Sequence, residues 1–144
     1  MRKIVFAASA IALLLVINAC KKSNSSNSSA KTVQNLSGSY NLTASTANLL
    51  GLTINLYDSL PACEKDNIIQ LNTNMTAQFI DAGVVCVPPS DSTGSWSLSS
   101  NADTIYVAGS ANFIKSWDGK SLITTSAEQI SGFPVTVTTT LVKK

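Results

Sequence analysis

Histidine is absent from the 144 residues, and arginine occurs once, at Arg2. The first absence excludes imidazole acid–base catalysis and His-ligated zinc; the second leaves no bidentate fork for phosphate in the body of the chain. Charge is scarce: 12% of residues are Asp, Glu, Lys or Arg, ten positive against eight negative. Arg2 and Lys3 carry two of the positives, and beyond residue 19 the chain balances eight against eight. A neutral chain without clustered Lys and Arg does not suit nucleic acid. There is no Cys-x-x-Cys and, after residue 36, no Ser-x-x-Lys; Asp81, Asp91, Asp103 and Asp118 are scattered without calcium-loop spacing. These absences argue against redox-pair, Ser–Lys and calcium-loop chemistry. The expectation is a non-enzymatic protein with no cofactor and no metal, and a length that fits one folded domain.

What is present starts with an export pattern. Met1-Arg2-Lys3 is a basic head, and positions 4–17 are apolar except for Ser9. That run is shorter than the roughly 20 residues a spanning helix needs, and it has the form of a secretory signal over residues 1–19. Ile17-Asn18-Ala19-Cys20 resembles the lipobox of bacterial lipoproteins. The resemblance implies cleavage before Cys20, acylation (palmitate among the chains) at Cys20, and a membrane as partner through it. The plainer alternative is an ordinary signal peptide with an incidental cysteine. Residues 20–35 then read as the lipidated Cys and a flexible Ser/Asn tether. Some Gram-negative lipoproteins carry acidic residues here that send them to the cell surface; this tether carries Lys21 and Lys22 instead. The location expected is an outer-membrane anchor with the domain facing the periplasm, surface display remaining open.

From Leu36 to Lys144 the hydrophobic period is two. Leu36, Tyr40, Leu42 and Ala44 share one face of a first strand; Ile69 and Leu71 fall on a second; Met75, Ala77 and Phe79 on a third. Gly94, Trp96 and Leu98 alternate with serines, Ile105 and Val107 follow a polar turn at 100–103, and Phe113 and Ile114 lead to Asp118-Gly119, a hairpin signal. Leu122 and Ile123 open a seventh strand, and Val135, Val137, Thr139 and Leu141 lie along the last. Residues 46–60 break the pattern, and Ala47-Asn48-Leu49-Leu50 is expected to form one helical turn. The fold class expected is all-β: an antiparallel up-and-down meander of about eight short strands, closed or nearly so, over residues 36–144.

Gly38-Ser39-Tyr40-Asn41-Leu42 and Gly94-Ser95-Trp96-Ser97-Leu98 repeat a Gly-Ser-aromatic-x-Leu pattern, which directs both rings at one interior. The expected interior, ligand-facing set is Tyr40, Leu42, Leu71, Phe79, Trp96, Leu98, Ile105 and Val137. Cys63 and Cys86 are an even pair in an exported chain, which favours a disulfide at the open end of the second hairpin over a metal or redox pair.

These features together, with Ala62-Cys63-Glu64-Lys65-Asp66-Asn67 and a Thr-rich last strand, resemble the bacterial lipocalin-like domain of lipid-anchored envelope proteins. The resemblance implies a small β-barrel or half-barrel and no established catalytic residues. Two functional readings follow. An eight-stranded barrel is just wide enough to be filled by side chains or to hold one small apolar ligand. Alternatively the barrel is filled and the protein is a structural or interaction module with an envelope protein partner, touching it through Val87-Pro88-Pro89-Ser90, the 46–60 segment, Tyr57, Trp117 and Phe133. Glu64, Lys65 and Asp66 read either as a polar cluster able to hold a cation or polar ligand at the rim, or as a solvated loop.

Overall fold

The computed structural model describes residues 30–130 and 132–144. The expected signal segment, Cys20 and most of the tether lie outside the described residues. The elements in chain order are α1 (Val33–Leu36), β1 (Gly38–Leu49), β2 (Leu52–Asn55), α2 (Ala62–Lys65), β3 (Ile68–Leu71), β4 (Thr76–Ile80), β5 (Ser92–Leu98), β6 (Thr104–Val107), β7 (Ser110–Trp117), β8 (Ser121–Ile130) and β9 (Phe133–Lys143). All strand pairings are antiparallel, and β1 pairs with β9, so eight strands close into an up-and-down barrel. Over its closed part the barrel has none of the free edges that an open sheet would present.

The ninth strand, β2, arises because one edge of β1 serves two partners. Residues Gly38–Asn41 pair with β3 and residues Thr46–Leu49 pair with β2. The opposite edge of β1 follows β9 along nearly its whole length, and β8 residues 126–130 pair only with β9. A four-stranded sheet in the order β2-β1-β9-β8 therefore extends past the closed part of the barrel. The expected helical turn at 47–50 is absent. Ala47, Asn48 and Leu49 continue β1, and Leu50 and Gly51 make the two-residue hairpin loop, both at positive φ (51° and 87°). Positive φ at both central positions is what a type I′ hairpin turn requires, so tight β geometry overrides the apolar run.

Two further strand-face expectations are corrected. A bulge between Leu42 and Ala44 inserts Thr43, so Ala44 sits opposite Thr140 rather than continuing the inward face of Tyr40 and Leu42. Met75 is not on the face of Ala77 and Phe79; it occupies the turn at φ 66° and is exposed. Leu36 belongs to α1, which begins at Val33, three residues before the expected domain start, and the Thr32 side chain accepts from Asn35 N as its N-cap.

The two barrel ends differ. The lower end carries α1, the turns at 72–75, 99–103 and 118–120, and the C-terminus; the upper end carries α2, the 81–91 segment and the turns at 50–51 and 108–109. The lower end is solid. Leu36, Tyr40, Leu71 and Trp96 are buried there to 1% exposure or less, and Val33 packs against this cluster. The Tyr40 hydroxyl donates to Leu36 O at 2.7 Å, Trp96 Nε1 donates to Asn72 O at 2.8 Å, and the Tyr40 and Trp117 rings lie 6.3 Å apart. Lys143 completes the floor: Nζ donates to Asn35 O at 2.9 Å and stands 6.0 and 5.8 Å from the Tyr40 and Trp117 ring centres. Its stem passes where a Cβ at Gly38 would sit, so residue 38, at φ 147°, has no room for a side chain.

Trp117, expected as an exposed contact residue, is 5% exposed. The bulge between Ile114 and Ser116 inserts Lys115 and turns Trp117 onto the inward face opposite Leu122. Asp118 does form the expected turn. Its carboxylate accepts from Ser121 N and Lys120 N at 2.6 and 2.8 Å, and these bonds hold its pKa below the ordinary value.

Candidate ligand-binding cavity at the barrel mouth

Above the filled floor the barrel is not filled. A cavity of about 310 Å³ opens at the upper end. Ile69 and Leu71 of β3, Phe79 of β4, Ile105 and Val107 of β6, Leu122 of β8 and Leu141 of β9 form its apolar wall. The polar groups are Ser110 and Asn112 of β7, Thr124 of β8 and Thr139 of β9, and no charged residue lines it. Alternation explains the lining. Leu122 and Thr124 stand opposite Leu141 and Thr139, all four on the inward face. The size arises because the inward positions nearest the mouth are short. Thr124 and Thr139 take places that leucine would fill, and Ala108 replaces a bulky side chain in the β6–β7 turn.

A second cavity of about 340 Å³ adjoins the first. Leu42, Ile69, Phe79 and Ser92 supply it from the barrel wall; Leu60, Glu64, Asn67 and Ser90 supply it from the segments above. Ile69 and Phe79 line both cavities and face each other across β3 and β4.

The cover over the second cavity is held by the Cys63–Cys86 disulfide, with Cα atoms 5.2 Å apart, joining α2 to the 81–91 segment across the open end of the β3–β4 hairpin. Carboxylates do the rest. Asp81 accepts from the backbone N–H of Cys86 and Ser90 at 3.0 and 2.9 Å, Asp91 from Asp81 N at 2.9 Å, and Asp66 from Val84 N at 2.8 Å. Asn67 Oδ1 accepts from Ala82 N, and Asn67 Nδ2 donates to Ser90 Oγ at 3.2 Å. Lys65 Nζ donates to Asp58 O at 3.1 Å and lies 5.5 Å from the Tyr57 ring centre. The Glu64-Lys65-Asp66 run is thus split: Asp66 and Lys65 build the loop, and Glu64 alone lines a cavity. No group of three or more potential metal ligands occurs among the described residues.

The eight interior residues named from the sequence separate into four roles. Leu71, Phe79 and Ile105 line the mouth cavity, and Leu42 lines the second. Tyr40 and Trp96 are floor, with Leu98 packed against the same core. Val137 is half-buried on the extended sheet, opposite Ala47 and Ser126. The residues that sequence reasoning missed are the small or polar inward ones, Ala108, Ser110, Thr124 and Thr139. Ala108 lies in the β6–β7 turn, and Ser110, Thr124 and Thr139 read as ordinary β residues, so nothing in their types marks them as bounding a cavity.

No family model, curated protein or solved structure matches the chain.

Proposed function

We propose that this is a lipid-anchored cell-envelope protein with a lipocalin-like domain that binds a small apolar ligand in the mouth of its barrel. The observation that carries the reading is the cavity of about 310 Å³, walled by apolar side chains and lined by no charged residue, above a floor packed by Leu36, Tyr40 and Trp96. Ligand sites occupy about 300–1,000 Å³ and combine an apolar wall with a few oriented polar groups. Thr124, Thr139, Ser110 and Asn112 are such groups. Anchoring rests on the lipobox-like Ile17-Asn18-Ala19-Cys20, with the domain facing the periplasm from the outer membrane. Several acyl chains hold firmly, because each buried methylene contributes about 0.8 kcal/mol.

Native mass spectrometry of the chain extracted from its own envelope tests the ligand. A bound small molecule, or saturable uptake of one 1-dodecanol per chain, is expected for the native protein. Both are expected to vanish in Val107→Trp, which fills the cavity from a half-buried wall position. A native chain that neither carries nor takes up a ligand contradicts the reading. Anchoring is tested by Cys20→Ala, expected to release the protein from membranes; continued partition with membranes contradicts it.

A second reading, an interaction module, draws on Leu50 in the hairpin loop and Leu52 and Ile54 on the outermost strand, which are 81%, 65% and 44% exposed. A photo-crosslinking residue at Leu52 would join such a partner in intact envelopes, and the absence of any adduct would remove this reading.

A further inference from the structure

We propose that the two cavities form one bipartite site for a single-chain amphiphile, with the apolar tail in the mouth cavity and an uncharged or cationic head beside Glu64. This deepens the ligand-binding reading above and rests on it. Ile69 and Phe79 line both cavities, so a bound chain crossing from one to the other stays in contact with the same two side chains. The combined space falls in the middle of the range for ligand sites, about 300–1,000 Å³, whereas either cavity alone is near its lower limit.

The two ends differ in chemistry. The mouth cavity holds hydroxyls and one amide but no ionisable group. The second cavity ends at Glu64, Asn67, Ser90 and Ser92. Glu64 is the one charged residue lining either cavity. Among the described residues the only ion pair is Lys31–Asp103, so Glu64 lines the space without a cationic partner. Asp81 and Asp91 are occupied as acceptors of backbone N–H groups, Asp66 accepts from Val84 N through one oxygen while its other oxygen is buried without a partner, and Lys65 is turned away to Asp58 O. An anionic head, such as a fatty acid carboxylate, would meet like charge and find no Lys or Arg. An amine or hydroxyl head would donate to Glu64.

The test is native mass spectrometry of the full chain, freed from non-ionic detergent in the gas phase, after titration with dodecylamine, 1-dodecanol or dodecanoate. Dodecylamine is expected to bind at least about fivefold more tightly than dodecanoate, the scale of a partly exposed charge contact, with dodecanol between them. Glu64→Gln, a change at an exposed helix position, is expected to bring amine and alcohol within about twofold of each other. Leu60→Trp, which fills the head cavity, is expected to weaken the amine more than the alcohol. Dodecanoate binding as tightly as dodecylamine, or a Glu64→Gln chain that keeps the amine preference, overturns the inference and leaves the apolar cavity standing. Failure of all three probes overturns both.

Discussion

Ile69 and Phe79 stand directly opposite each other across β3 and β4, and both line each of the two cavities. Phe79 is half-buried, so its ring bounds space without being part of the packed floor. Phe79→Ala is expected to widen the passage between the two cavities. The cost should be below the roughly 3–5 kcal/mol of a fully buried Phe→Ala, because part of the ring already meets solvent. Urea denaturation would read the cost. Binding of 1-hexadecanol should improve relative to 1-dodecanol; an unchanged ratio would show that Phe79 does not set the length of the site.

The disulfide secures the cover. Cys63 and Cys86 are 23 residues apart, and closing a loop of that length stabilises by about 3 kcal/mol in the chain-entropy model. The Cys63→Ala/Cys86→Ala pair should lose about that amount in urea denaturation. Faster amide exchange should appear first in residues 56–67 and 81–91. Uniform acceleration over the whole barrel would mean that the bond stabilises the fold without organising the cover.

Tyr40 links the floor to alkaline stability. Burial raises its pKa from 10.0 to about 12. A raised folded-state value means that the folded protein keeps the phenol proton over a pH range in which the unfolded chain loses it. The contribution is therefore complete below about pH 10 and lost as pH rises toward 12, on the order of 2–3 kcal/mol. Tyr40→Phe should remove that alkaline loss and cost about 1–2 kcal/mol at neutral pH, since Leu36 O loses its donor. Denaturation midpoints at pH 7, 9 and 11 separate the two effects.

The Leu50-Gly51 turn is a place where the sequence is not optimal. Leu50 sits at φ 51°, is 81% exposed and pays the left-handed penalty that Asn largely avoids. Leu50→Asn should stabilise by up to about 1 kcal/mol in urea denaturation. A loss would show that the leucine makes a contact in solution that offsets its backbone strain.

Period-two alternation made most of the barrel legible. It placed Tyr40 and Trp96 on one interior, and both are fully enclosed. The even pair of cysteines in an exported chain pointed to the Cys63–Cys86 bond, and the strand order placed it at the open end of the second hairpin. What it missed has physical causes. A bulge adds one residue without any composition signal, so Thr43 and Lys115 gave no warning that Ala44 would leave the inward face or that Trp117 would join it. The 47–50 run is ambiguous because Leu-Leu suits helix and strand alike; Gly51, just after it, is the cue for a two-residue hairpin. α1 is a four-residue turn, too short for a helical period to show. The cavity was the least visible feature, since it depends on how far each inward side chain reaches. Thr124 and Thr139 read as ordinary strand residues until their positions above Leu122 and Leu141 are known.

The most direct measurement is a methyl NMR titration of the chain with 1-dodecanol. The methyls of Ile69, Leu71, Ile105, Val107, Leu122 and Leu141 should shift together and saturate, while those of the exposed Ile54, Val84 and Val85 stay in place. Shifts confined to the exposed set, or none in the six wall residues, would contradict a ligand in the barrel mouth.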